Sequence, residues 1–300
     1  MKISSFGRGA LSFCVAIAML AGCGGHASDG VVPTNVLPNS LPRHKTFNYT
    51  GAAQDFKVPA GVTQLKIIAR GASGGGDGNY EGRDVQALGG RVRAIIPVTP
   101  GEKLTVFVGG RGSRPSGGFN GGGSGVGEPS CCDGYGGGGA SDVRQNGDSL
   151  ADRILVAGGG GGAEAFAWPE YGGLGGKGGG GNGAAGTNGY TSGGSSHGGY
   201  GGAGGTQSVG GTGGNGGGGS SYGGGAGSSG SLGVGGAGGQ AGGHNSYVGG
   251  GGGGGGGGYY GGPGGGGGGG SSFIESRAFG GRSWQGWKNA GTNGLVVISW

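Results

Sequence analysis

Proline, charge and helical periodicity are all scarce in this sequence. Ten prolines stand against 101 glycines in 300 residues. Collagen needs glycine at every third position together with abundant proline. Here glycine falls in runs such as Gly249–Gly258 and Gly264–Gly270, so a triple helix is excluded. Charged residues are only 11%, and the formal net charge of +5 comes partly from Lys2 and Arg8 near the N-terminus. That balance by itself predicts no polyanionic partner. Almost nowhere do apolar residues recur at helical spacing, which excludes an α-helical class.

Apolar runs are rare too. The one that stands out, ALSFCVAIAMLAG (residues 10–22), is too short to cross a bilayer but follows Lys2 and Arg8 as the core of a secretory signal does. It ends in Leu20-Ala21-Gly22-Cys23, which resembles the bacterial lipobox, and this implies acylation of Cys23 as the mature N-terminus. The alternative is an ordinary signal cut near Gly25-His26-Ala27, releasing a soluble protein. Gly24 stands after Cys23 where inner-membrane retention would put Asp, so the expected location is the outer membrane, lipid-anchored and facing the surface. Several acyl chains on one cysteine hold where a single chain binds reversibly.

Cysteine is equally sparse. Removing the signal takes Cys14 away and leaves Cys23 for lipid and the neighbours Cys131 and Cys132 in an oxidising compartment. An adjacent pair without a second pair is a poor metal site. Two readings stand: a disulfide between Cys131 and Cys132 in a tight turn, or pairing with another chain.

What the chain does have is β-strand pattern. Residues 1–22 read as the signal, 23–45 as a tether with Pro33, Pro38 and Pro42, and 46–300 as a glycine-rich domain. Strands are expected at TFNYT (46–50), QDFKV (54–58), TQLKIIAR (63–70), RVRAIIPV (91–98), KLTVFV (103–108), RILVA (153–157) and GLVVISW (294–300), short alternating segments bounded by Gly and Pro. The class is all-β, a two-sheet sandwich. The last strand cannot bury its apolar face alone, so its partners are expected among the strands ahead of the glycine tract. Residues 158–270 then read as an insertion returning to the same sandwich, since loop closure grows only logarithmically with length. Ordering such a tract costs about 1–2 kcal/mol per residue. Packed backbone hydrogen bonds, each worth about 0.5–1.5 kcal/mol net, come close to offsetting that. An anchored bundle and a loose spacer therefore both remain open.

FNYTGAAQDFKVPAGVTQLKIIARGASGGG, VTPGEKLTVFVGGRG, GGGASDVR and DRILVAGGGGG together resemble the glycine-rich domain of anaplastic lymphoma kinase and leukocyte tyrosine kinase. The similarity covers nearly everything from Thr46 to Trp300. It implies a tumour-necrosis-factor-like, jelly-roll-type sandwich with an inserted bundle of polyglycine II helices, and a role in extracellular ligand recognition. The kinase does not carry over, because no HRD or DFG motif is present.

No cofactor and no catalytic constellation is expected. GxGxxG matches lack the strand–turn–helix context of a dinucleotide site, and Lys177 is followed by glycine rather than Ser or Thr, unlike a P-loop. Arg111 and Arg282 beside glycines are too isolated for an RNA-binding segment, so no nucleic-acid partner is expected. His26, His44, His197 and His244 lack companions at metal-ligand spacing. Asp142, Asp148 and Asp152 near Arg144 and Arg153 suit either a calcium loop or Asp–Arg pairing that fixes the strand entry, the pairing being favoured. Near the end, Trp284, Trp287 and Arg282 cluster with Arg277 and Lys288, either as a recognition patch for a glycan or protein or as a cap on the sandwich. The chain thus reads as a non-enzymatic surface lipoprotein, a binding, adhesion or envelope-structural module. Its rivals are ice or hydrated-surface binding by a polyglycine bundle and a disordered spacer.

Overall fold

A computed structural model describes residues 43–76, 87–127, 133–165, 170–191, 200–215, 225–240, 243–244, 247–248, 251–287 and 292–300. In chain order the strands are β1 (His44–Asn48), β2 (Gln54–Lys57), β3 (Gln64–Arg70), β4 (Arg91–Pro97), β5 (Lys103–Phe107), β6 (Ser141–Gln145) and β7 (Arg153–Ala157). Two-residue strands β8 (Glu170–Tyr171) and β9 (Tyr190–Thr191) pair with each other, as do β10 (Gly243–His244) and β11 (Tyr247–Val248). β12 (Phe273–Ile274), β13 (Phe279–Trp284) and β14 (Leu295–Ser299) close the chain. All-β is what the alternation predicted.

Two antiparallel sheets of five strands face each other, β1-β14-β3-β4-β13 and β12-β7-β6-β5-β2. Leu65, Ile67 and Ala69 of β3 and Val92, Ala94 and Ile96 of β4 point inward, with Lys66, Arg70, Arg91 and Arg93 on the opposite face. Against them pack Phe56, Leu104, Val106, Val143 and Leu155 of the second sheet, each large side chain contributing about 1.5–3 kcal/mol by leaving water. The last strand, β14, lies between β1 and β3, both ahead of the glycine tract, as its apolar face required.

β6 and the short or irregular strands β8 to β13 were not legible in the pattern, and two of them show why. β6, SDVRQ, is buried at every position although three of its five residues are charged or amide. Its polar groups are matched in place: Arg144 Nε donates to Asp142 at 2.7 Å, so the Asp–Arg pairing is the arrangement found. β13 contains Gly280-Gly281, and its ladder with β4 slips between Phe279 and Arg282, a bulge that hides the period of two.

Beyond the sandwich the glycine segments form an ordered array, and its hydrogen bonds have a period of three. In 159–165, the N–H groups of Gly159, Gly162 and Ala165 donate to Gly257, Gly254 and Gly251. Those of Gly160 and Ala163 donate to Ala72 and Gly75, and those of Gly161 and Glu164 to Gly176 and Gly173, all between 2.7 and 3.1 Å. Carbonyls of the same segment accept from Gly270 and Gly267, and from Gly138 and Tyr135. Three residues per turn aim successive N–H groups 120° apart, so each strand of backbone is stitched to neighbours on all sides and none bonds to itself. This is the polyglycine II arrangement. The segment 134–140 repeats it, donating in turn to 126, 123 and 120, to 163 and 160, and to 113 and 110. The array therefore draws on 71–76, 87–90, 109–127 and 133–140 as well as the long tract.

Arg153 ties the array to the sandwich. Its Nη1 donates to the Gly258 carbonyl at 2.9 Å, its Nη2 to that of Tyr259 at 3.2 Å, and the guanidinium lies 4.9 Å from the Tyr259 ring. RILVA is thus the seam from which the glycine segments leave and to which they return. Amide hydrogen exchange should show strong protection across 158–165 and 251–257, next to the sandwich. Random-coil exchange there would rule out the array.

Candidate functional site

The outer face of the first sheet concentrates positive charge. Its outward positions carry Lys66, Arg70, Arg91, Arg93 and Arg282, and its five strands hold neither Asp nor Glu. Pairing brings the outward cations side by side. Arg70 stands opposite Arg91, and Arg93 stands between Ile68 and Arg282. Like charges directly across a ladder are destabilising. Among the described residues the ion pairs are Lys103–Asp55, Arg144–Asp142 and Arg277–Glu275, so none involves these cations.

Arg91 is the most confined of them. Its guanidinium lies 4.6 Å from the Trp284 ring and 4.5 Å from the Trp287 ring, and the two rings are 5.8 Å apart at 57°. Burial first, and then the charges of Arg70 and Arg93, hold its pKa below the ordinary arginine value. The tryptophan turn is pinned onto the glycine array, Gly286 N donating to Gly178 and Trp287 N to Gly89, both at 2.9 Å. The Trp287 indole N–H is buried without a partner. Trp284 and Trp287 are half-buried, and Arg282 is exposed on the same strand. Arg277 does not join them, being held by Glu275 and Gln145 at 2.7 and 2.8 Å.

At the other end of the Arg70–Arg91 row a depression of about 320 Å³ opens, lined by Asn48, Tyr49, Arg70, Thr292, Asn293 and Leu295. Its floor is fixed. The Thr292 carbonyl accepts from Ser73 N at 3.0 Å, Asn293 Oδ1 accepts from Arg111 N at 2.8 Å, and Gly294 N donates to Gly109. Arg70 Nε is buried there with no partner. A cation and two amide side chains converging on a rigid concavity can attract and orient an anion.

Cys23, Cys131, Cys132 and Lys288 lie outside the described residues. Of the candidates named from sequence, Trp284, Trp287 and Arg282 come together on the first sheet. Arg70, Arg91 and Arg93 were passed over. Their outward alternation was visible, but the register that sets them beside one another was not. No group of three or more His, Cys, Asp or Glu suited to a metal occurs among the described residues. No protein-family model matches the chain, and no curated protein matches it either. No helix among the described residues is long and apolar enough to cross a membrane.

Proposed function

We propose that the chain is a non-enzymatic, lipid-anchored binding module of the bacterial outer membrane. In this reading it is a relative of the glycine-rich receptor domains it resembles, and its sandwich is of the tumour-necrosis-factor-like type. The observation that carries the reading is the outer face of the first sheet, where Arg70–Arg91 and Arg93–Arg282 stand in register beside Lys66, with no acid on its strands and a depression at one end. The glycine array serves as a stiff support for that face, because backbone cross-linked every third residue on several sides does not bend as a tether does.

The anchor is tested in a Gram-negative host. Wild-type chain should incorporate labelled palmitate and sediment with outer membrane, while Cys23→Ser should take up no label and appear in the soluble fraction. Retention of label by Cys23→Ser would overturn the anchor. Failure of added protease to cut the wild-type chain on intact cells would place the face away from the surface.

A further inference from the structure

We propose that the outer face of the first sheet binds an anionic polysaccharide. One acidic sugar sits in the depression at Arg70, and the chain runs across the strands past Arg91 towards Trp284 and Trp287, with Arg93 and Arg282 alongside. The inference rests on the reading of the domain as a binding module and names its ligand class.

Three observations converge. The sign of the ligand follows from Lys66, Arg70, Arg91, Arg93 and Arg282 gathered on strands that hold no carboxylate. Four of these are arginines, whose planar forks pair bidentately with carboxylate or sulfate. Two like-charged pairs, Arg70–Arg91 and Arg93–Arg282, face each other across the ladder, a repulsion that a bound anion removes.

The shape of the ligand follows from the sheet. Adjacent strands set Arg70 about 5 Å from Arg91 and Arg93 about 5 Å from Arg282, in two neighbouring rows across the face. A repeating, extended polyanion can meet both rows where a compact ion meets one. Between and beside the cations stand apolar groups, Phe279 at 57% and Ile95 at 37% exposure, with the half-buried tryptophan pair at the end of the row. Those surfaces suit the C–H faces of sugar rings, in the way aromatic anchors serve other recognition sites. The depression, at about 320 Å³, supplies an end or branch pocket with Asn48 and Asn293 to meet hydroxyls and Arg70 to meet the charge. The net charge of the whole chain gave no hint of this, because it does not record which face each cation takes, nor that Arg144 and Lys103 of the second sheet are paired with Asp142 and Asp55.

The test is calorimetric titration of the full chain with polygalacturonate for carboxylates, dextran sulfate for sulfates, and neutral dextran and single-stranded DNA as contrasts. One or both acidic polysaccharides should bind, with affinity falling as salt rises, and should raise Tm. The stronger of the two identifies the anion. Neutral dextran should not bind. Arg70→Gln should weaken binding by about tenfold or more, the loss of one charge-assisted contact. Arg282→Gln, at an exposed position that leaves the fold undisturbed, should weaken it in the same direction. Lys103→Gln, an exposed lysine of the other sheet already paired with Asp55, should leave it unchanged.

Equal weakening by Lys103→Gln and Arg282→Gln would reduce the effect to diffuse charge and overturn the site. Tighter binding of single-stranded DNA than of either polysaccharide would make the face a nucleic-acid surface and overturn the ligand class. Shortening of a bound polysaccharide during titration would overturn the non-enzymatic reading while supporting this one. Failure of every polysaccharide to bind a chain that still labels with palmitate and remains protease-accessible would sink this inference alone.

Discussion

Replacing Gly161 by alanine is expected to destabilise the protein by at least about 3 kcal/mol, the upper end of overpacking costs. A Cβ built there falls 1.9 Å from the Gly267 carbonyl oxygen and 2.4 Å from its carbon. Neither is a flexible side-chain end that can step aside. Gly267 is itself held, its N–H on Gly162 and its carbonyl on Gly176, so relief requires several segments of the array to separate. Gly181→Ala is the matching control. A Cβ there meets nothing within 4 Å and the backbone is not left-handed, so the change should be neutral or stabilise by about 0.4–1 kcal/mol through the unfolded chain. Urea unfolding of the two variants measures the contrast directly. If Gly161→Ala unfolds at the wild-type midpoint, the array is not packed as described. If Gly181→Ala loses as much as Gly161→Ala, the effect is one of composition rather than of contact.

Asp142→Ala should cost about 3–5 kcal/mol, the penalty for leaving one member of a buried ion pair behind. Asp142 and Arg144 are 1% and 7% exposed at their side chains and meet at 2.7 Å. The carboxylate also accepts from Asn120 Nδ2 at 2.7 Å, while the guanidinium donates to the Asp148 carbonyl and lies 3.8 Å from the Phe107 ring. With Asp142 gone, Arg144 Nε loses its acceptor. Arg144→Met should cost a similar amount, because it leaves the Asp142 carboxylate buried with its cation removed and Asn120 as a neutral donor. The double change Asp142→Leu with Arg144→Met should recover much of the loss, since apolar replacements of similar size carry no desolvated charge. A loss below about 1 kcal/mol for Asp142→Ala would show the pair to be wetted and the strand β6 to be less buried than it is here.

The two effects arise from opposite chemistry in adjoining regions. In the array, stability depends on the absence of side chains, because only bare backbone lets neighbouring helices approach to hydrogen-bonding distance on every side. In β6, stability depends on a matched set of polar side chains in a strand that has no solvent face. Between them, Arg153 does both, carrying a charge into the core of the fold and spending it on the carbonyls of Gly258 and Tyr259.

The sequence alone determined the β class, the strands whose neighbours alternate cleanly, and the closure of the sandwich by the chain's last strand. Leu65, Ile67 and Ala69 against Lys66 and Arg70 form a local pattern, and a period of two survives any arrangement of partners. β6 and β13 were hidden because burial on both faces removes alternation and a bulge shifts it. Whether the glycine tract would order was undecidable from composition, since the entropy of ordering and the backbone bonds nearly cancel and only the positions of the neighbours tip the balance. The tertiary structure supplied those neighbours, including glycines from well ahead of the tract. It alone also decided the cationic face. Charge summed along a chain is blind to register, and it is the ladder that sets Arg70 beside Arg91 and Arg93 beside Arg282.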